Sequence, residues 1–406
     1  MDLVSRIYEY ILEADRVLDK VVYRTPIDKS RTLSRITGGE VYLKLENLQR
    51  TGAFKVRGAY YMLWRLMRER GKISACVAAS SGNHAQGVAL AATELGIRSI
   101  IVMPETTPYI KIRATKSYGA EVVLHGRTYD EAYSKALEIC EKLEAEFVHP
   151  FNDERVIAGQ GTIGLEMLRS LKDIDVVIVP VGGGGLISGI ATAIKKLSPR
   201  TKIIGVQPEG APAMTLSFKR GRLTEVPYVD TIADGVAVKK PGDLTFKIIS
   251  ELVDDMVLVS DDEIVRAIFF LLERSKCVAE PAGALGVAAL LGGRIDVRDK
   301  RTVVLISGGN MDMLLLARVI ERALVLEKRE IRIQGILPDR PGMLKTVLEV
   351  LAQVRANVVS IEHDRIDPSL KPGTAKVTII FELPSEDMLE GILKRLREKG
   401  LVFRAI

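Results

Sequence analysis

Lys55 stands in the stretch Gly52-Ala53-Phe54-Lys55-Val56-Arg57-Gly58, behind a glycine turn and where a helical pattern begins. An amine set beside an aromatic ring and partly withdrawn from water holds its proton weakly, as imine formation and proton abstraction both require. Three other segments carry complementary chemistry. Gly182-Gly183-Gly184-Gly185 follows an apolar strand and opens a helix. A phosphate dianion there would collect several backbone N–H groups and the positive end of the helix dipole. Ser80-Ser81-Gly82-Asn83-His84 offers hydroxyls, an amide and free N–H groups at another helix start, suited to a carboxylate and a phenolic oxygen. Ser307-Gly308-Gly309-Asn310 closes a further apolar strand and presents a hydroxyl.

Singly, each segment has a plainer reading: a solvated lysine, a flexible turn, a serine N-cap, a turn after a strand. A dinucleotide loop is the rival for the glycine run, but its spacing fails. Counted from Gly183, the third glycine of G-x-G-x-x-G falls on Ser188, and the next strand ends at Gln207 instead of an acid. Taken together, a Schiff-base lysine, a backbone phosphate cradle and two small polar turns point to pyridoxal phosphate. Ser307 beside the pyridine nitrogen would leave that nitrogen neutral, a weaker electron sink that favours β-elimination over transamination.

The elements that must position these residues alternate between short apolar runs and helical ones. Strands are expected at Val41–Glu46, Ala75–Ala79, Ser99–Met103, Glu121–Leu124, Asp175–Val181, Lys202–Gln207 and Thr302–Ile306, and helices at Asn83–Leu95, Tyr129–Leu143, Thr162–Leu171 and Ile187–Leu197. Runs such as Val176-Val177-Ile178-Val179 are apolar on both faces, the mark of parallel strands covered by helices. The fold class is α/β with doubly wound open sheets. After a helix near Leu314–Leu326 the order becomes strand Glu330–Leu337, helix Pro341–Val354, strands Asn357–Asp367 and Thr374–Leu383, helix Ser385–Lys399 and strand Leu401–Ile406. That βαββαβ order is ferredoxin-like. The expected domains are residues 1–325, with a smaller lobe at roughly 50–150, and residues 326–406.

Composition narrows the field. Cys76, Cys140 and Cys277 show neither metal-ligand spacing nor a disulfide framework, which fits a reducing cytosol. No signal peptide or membrane span is expected. A formal charge of +6 spread over alternating signs argues against a nucleic-acid partner.

In this order the segments resemble the fold-type II pyridoxal phosphate enzymes, the threonine/serine dehydratase branch most closely, in a two-lobed architecture like that of the tryptophan synthase β chain. Gly159-Gln160-Gly161-Thr162-Ile163-Gly164-Leu165-Glu166 and Ala279-Glu280-Pro281-Ala282-Gly283 share in the resemblance. It implies that Lys55 is the Schiff-base and catalytic lysine, flanked by Phe54 at the cofactor, and that Asn83 is the ligand of the pyridine 3-oxygen. It makes Gly182, Gly183, Gly184, Gly185 and Leu186 the phosphate loop, Ser307 the partner of the ring nitrogen, and Ser80, Ser81, Gly82, Asn83 and His84 the substrate loop. Ser81 matches the position that supplies a second acid/base in the serine racemase relatives. The chain departs from those relatives at Ala53, where many carry serine. Val206-Gln207-Pro208-Glu209-Gly210 also lacks the acids of the racemases' divalent-metal site, so no metal is expected.

The C-terminal segment resembles an ACT domain. Asp339, Arg340, Pro341 and Gly342 form its candidate effector turn, with Pro341 suited to the helix's first turn. The implied activity is elimination of water from L-threonine or L-serine to give a 2-oxo acid and ammonia, in a cytoplasmic homo-oligomer answering to an amino-acid effector. The alternatives are racemisation or β-replacement on the same fold, a nicotinamide dehydrogenase, and an amino-acid sensor with decayed catalysis.

Overall fold

Val176–Pro180 and Ala75–Ala79 are buried at every residue, so each must lie inside a sheet covered on both faces. The computed structural model, which describes residues 1–383 and 388–406, places them in two separate sheets. One has six strands, in the order Ile27–Lys29, Glu40–Leu45, Arg301–Ile306, Val176–Pro180, Lys202–Pro208 and Asp255–Val259. All pair in parallel except Ile27–Lys29, which runs antiparallel along Glu40–Leu45. The other sheet has four parallel strands in the order Glu121–Leu124, Arg98–Met103, Ala75–Ala79 and Glu146–Phe147.

Each sheet builds its own core. In the larger lobe Ile187, Ile190 and Ile194 of the helix Gly185–Leu197 pack with Val177, Val179, Ile203, Val303 and Leu305 of the sheet. In the smaller lobe Leu63 and Leu66 from Lys55–Arg70 and Val88 and Ala92 from Asn83–Glu94 meet Ile101 and Met103. The helix Glu154–Ser170 begins eight residues before the expected Thr162. Asp153 caps it by accepting from the N–H groups of Arg155 and Val156.

Contacts divide the chain into two units, Met1–Met313 and Leu314–Ile406. The second unit pairs four antiparallel strands in the order Asn357–Asp364, Thr374–Glu382, Glu330–Pro338 and Phe403–Ala405. Alternation decides its inner face: Ala375, Val377, Ile379 and Phe381 are buried, and Val347, Leu351, Ile392 and Leu396 of two helices join the same core. The expected start of the last helix at Ser385 lies outside the described residues. No helix among the described residues is long and apolar enough to cross a membrane.

Candidate active site

The motif residues converge because their loops leave the carboxyl ends of parallel strands, where open α/β sheets bind ligands. Ser80 to His84 follow Ala75–Ala79, Gly182 to Gly185 follow Val176–Pro180, and Ser307 follows Arg301–Ile306. Lys55 is the first residue of its helix, Lys55–Arg70. The turn before it is fastened to the Ser307 turn by an antiparallel bridge between Ala53 and Gly308. Gly309 N–H donates to the Gly52 carbonyl at 2.9 Å, and Phe54 N–H to the Ser307 carbonyl at 3.3 Å.

Behind Lys55 the helix is anchored by charge. The fully buried Arg57 guanidinium donates to both oxygens of Glu46 at 2.8 Å and to Glu166 Oε1 at 2.7 Å. Lys44 Nζ adds a 2.5 Å contact to Glu166 Oε2. Two acids and two bases so satisfied share the desolvation cost, whereas removing one strands the others. A cleft of about 470 Å³ opens beside this network, lined in part by Lys44, Glu166 and Arg169 and by none of Lys55, Asn83, Ser307 or the glycine loop.

The Lys55 side chain reaches across to the segment His149-Pro150-Phe151-Asn152, where Nζ donates to the Pro150 carbonyl at 3.0 Å. Burial brings the amine down to about 8, against the pull of the Glu280 charge. The Phe54 ring lies 5.2 Å from Nζ. His149 shapes the same segment: its Nδ1 accepts from the N–H groups of Phe151 and Asn152 at 3.2 and 2.8 Å. Burial pushes that imidazole down to about 4, so it is neutral and can accept.

Phe151 floors the glycine loop. A Cβ on Gly183 would lie inside the Phe151 ring's contact envelope, and one on Gly185 would come 2.9 Å from Phe151 Cα. Gly184 has φ +96°, the left-handed region that glycine enters freely. Thr245 Oγ1 donates to the Gly183 carbonyl at 2.6 Å and so holds the loop from outside. The N–H groups of Gly183, Gly184, Gly185 and Leu186 have no acceptor among the described residues. Unpaired donors at a helix start, in a loop without side chains, fit a phosphate dianion.

Asn83 bridges the two lobes. Its Nδ2 donates to Glu280 Oε1 at 2.6 Å, and its Oδ1 accepts from Asn310 Nδ2 at 2.8 Å. Glu280 is buried beside Gly308, where any Cβ would collide with its carboxylate. Burial and then the Asp234 charge push this carboxyl up to about 7. Ser80 Oγ accepts from Gly82 N–H at 3.2 Å, Ser81 is partly exposed on the loop, and Ser307 is buried.

One expectation is corrected, at Pro341, and His84 has its side chain turned inward from segment 80–84. It is buried with Nε2 2.8 Å from the Val148 carbonyl, and burial holds it neutral, down to about 3. Pro341 precedes the helix Met343–Gln353 instead of entering its first turn, because Gly342 at φ +93° takes the N-cap. In the exposed turn around it, Asp339 pairs with Arg365 at 3.2 Å. Sequence reasoning gave no role to Pro150, Phe151, Glu280 or Asn310. Nothing local in the sequence marked the first two, because the strand before them, Glu146–Phe147, has only two residues.

Comparison with known proteins agrees with this geometry. Residues 18–308 match the family model described as pyridoxal-phosphate dependent enzyme, and residues 333–400 match the ACT domain. The chain is 51% identical to an L-threonine ammonia-lyase of Thermotoga maritima over 98% of its own length and 99% of the relative's. Among solved structures it resembles the processed form of threonine deaminase isoform 2 from Solanum lycopersicum (TM-score 0.75, 44% identity, 79% of this chain and 89% of that one). It also resembles maize serine racemase (TM-score 0.73, 35% identity, 79% of this chain and 98% of that one).

Proposed function

Given that the chain belongs to the pyridoxal-phosphate-dependent enzyme family and carries an ACT domain, we propose that it is an L-threonine ammonia-lyase, acting also on L-serine. The products are 2-oxobutanoate, or pyruvate from serine, and ammonia. One observation carries the reading. Lys55 Nζ rests on the Pro150 carbonyl, and the next residue, Phe151, floors the phosphate-sized glycine cradle.

When bound, pyridoxal phosphate supplies a carbonyl for the substrate amine and an electron sink that acidifies the Cα–H bond. Gly182, Gly183, Gly184, Gly185 and Leu186 would hold its phosphate, Asn83 its 3-oxygen, Ser307 its ring nitrogen, and Phe54 would pack alongside. Lys55 would bind its carbonyl carbon and then, as a free amine with its proton affinity lowered by burial, take the Cα proton at Nζ. The partly exposed stretch Ser80-Ser81-Gly82 would orient the substrate carboxylate through its hydroxyls and the helix start. A hydroxyl at residue 307 in place of a carboxylate supports elimination over transamination.

We read Asp339, Arg340, Pro341 and Gly342 as the effector turn, and the division near residue 325 as one between catalytic and regulatory domains. The match to 98% of a serine racemase, covering 79% of this chain, supports a catalytic unit that stands alone. Three free cysteines support a cytoplasmic setting, and the ACT unit supports a homo-oligomer.

The test combines the visible spectrum of the purified chain with an assay of 2-oxo acid from L-Thr and L-Ser. A yellow protein that releases 2-oxobutanoate is expected. A yellow protein that converts L-Ser only to D-Ser would overturn the lyase reading, and a colourless protein that takes up no cofactor would overturn the reading altogether.

A further inference from the structure

Glu280 occupies a position that the mechanism above leaves unused. It sits at the N-cap of the helix Pro281–Leu291 in the larger lobe, with its N–H donating to the Gly308 carbonyl at 3.1 Å. Its Oε1 accepts from Asn83 of the smaller lobe. On its other side lies the turn Asp234–Val236, where a Cβ on Gly235 would stand 3.8 Å from that same Oε1. Asp234 is itself paired across the lobes, with Lys111 Nζ donating to Oδ2 at 2.8 Å. Lys111 belongs to the smaller-lobe helix Tyr109–Ser117.

We propose that Glu280 is a positioning residue that aims Asn83 at the site, and that the Lys111–Asp234 ion pair between the lobes sets its charge. This rests on the cofactor reading given above. Asp234 and Glu280 ride on the larger lobe, while Lys111 rides on the smaller one. With the pair made, the Lys111 cation offsets the Asp234 anion and Glu280 can ionise and grip the Asn83 amide. With Lys111 withdrawn, the bare Asp234 charge drives Glu280 to take up a proton and loosens that grip. Closing of the lobes and loss of the Glu280 proton are therefore one event.

The charged groups acting on this carboxyl are Asp234, which raises it, and Lys111 and Lys55, which lower it; the Asn83 amide also favours the ionised form. The two members of the ion pair thus act with opposite signs. A purely structural latch has no such property, since breaking it from either end would have the same effect.

The experiment follows the visible absorbance of the bound cofactor in the full-length holoenzyme from pH 5.5 to 9, with kcat and KM for L-Thr at each point. The wild type should show a transition near neutrality. Lys111→Met should move it up and Asp234→Asn should move it down. Glu280→Gln keeps an acceptor for Asn83, and should flatten the transition while retaining the cofactor. Shifts of Lys111→Met and Asp234→Asn in the same direction, no shift in either, or a transition surviving in Glu280→Gln would each overturn the inference alone. A wild-type chain with no visible band would overturn the cofactor reading and this inference with it.

Discussion

Gly183 and Phe151 are packed so closely that the smallest side chain on the glycine would intrude on the aromatic ring. The glycine loop and the segment that receives the Lys55 amine are therefore one packed body. Gly183→Ala should lift the loop off its floor and weaken cofactor binding by roughly tenfold or more, about 1.4 kcal/mol. Titration of apoenzyme with pyridoxal phosphate measures this directly, and an unchanged affinity would remove the loop from the phosphate site. Trimming the floor with Phe151→Leu in the Gly183→Ala background should recover part of the loss.

The Lys55 amine, brought down to about 8 from its ordinary 10.5, fixes a pH dependence. Only the neutral amine attacks a carbonyl, and its fraction grows as pH rises through the lowered value. Reconstitution of apoenzyme with cofactor should therefore accelerate between pH 7 and 9 and then level off. Acceleration continuing beyond pH 10 would describe an ordinary solvated lysine. Lys55→Ala should lose turnover by about 10³-fold or more, and borohydride should fix no cofactor to that variant.

The buried network around Arg57 predicts a stability effect remote from the chemistry. Glu166→Ala leaves Arg57 and Lys44 short of a carboxylate in the interior, a change costing about 3–5 kcal/mol. Arg98→Ala breaks only the exposed pair with Glu121 and should cost about 1 kcal/mol at most. Trp64, the chain's one tryptophan, lies in the helix Lys55–Arg70, so its fluorescence in urea compares the two variants. Equal midpoints would show that the network carries no net stability.

The C-terminal unit predicts a separable response. A chain ending at residue 325 should bind pyridoxal phosphate and eliminate water from L-Thr, but lose any response to Ile, Val, Leu or Ser. Gly342→Val should blunt the same response, because φ +93° disfavours a branched side chain. Dose–response curves for the three proteins decide the matter. If full-length and truncated chains respond alike, the effector turn lies elsewhere.

How much of this was legible in the sequence depended on whether local pattern or long-range contact fixed each feature. Ala75–Ala79 lies where the apolar run places it, since burial on both faces leaves a local signature. Glu146–Phe147 has two residues and Ile27–Lys29 three, too few for any period to register. The helix Glu154–Ser170 was begun late because Gly159 and Gly161 weaken the helical pattern. Those glycines instead admit close neighbours, Arg57 to one and Ile11 to the other. Lys55, Asn83, the glycine loop and Ser307 could be picked out because each lies in a distinctive short segment. Pro150 and Phe151 stand in an ordinary stretch of chain, and only folding reveals that Lys55 and the glycine loop both lean on them.

The fastening of the Lys55 turn to the Ser307 turn also sets an order of events during synthesis. Asn310 Nδ2 donates to the Thr51 carbonyl across 259 residues of chain, and Ala53 bridges Gly308 within the same seam. A nascent chain therefore displays Lys55 early but lacks the matching turn until residues 307–310 have been made. Contacts this distant in sequence form late, because the connecting loop must be closed before they give any return. Full cofactor capture should therefore follow translation of residue 310, which release of chains truncated before and after that point would test.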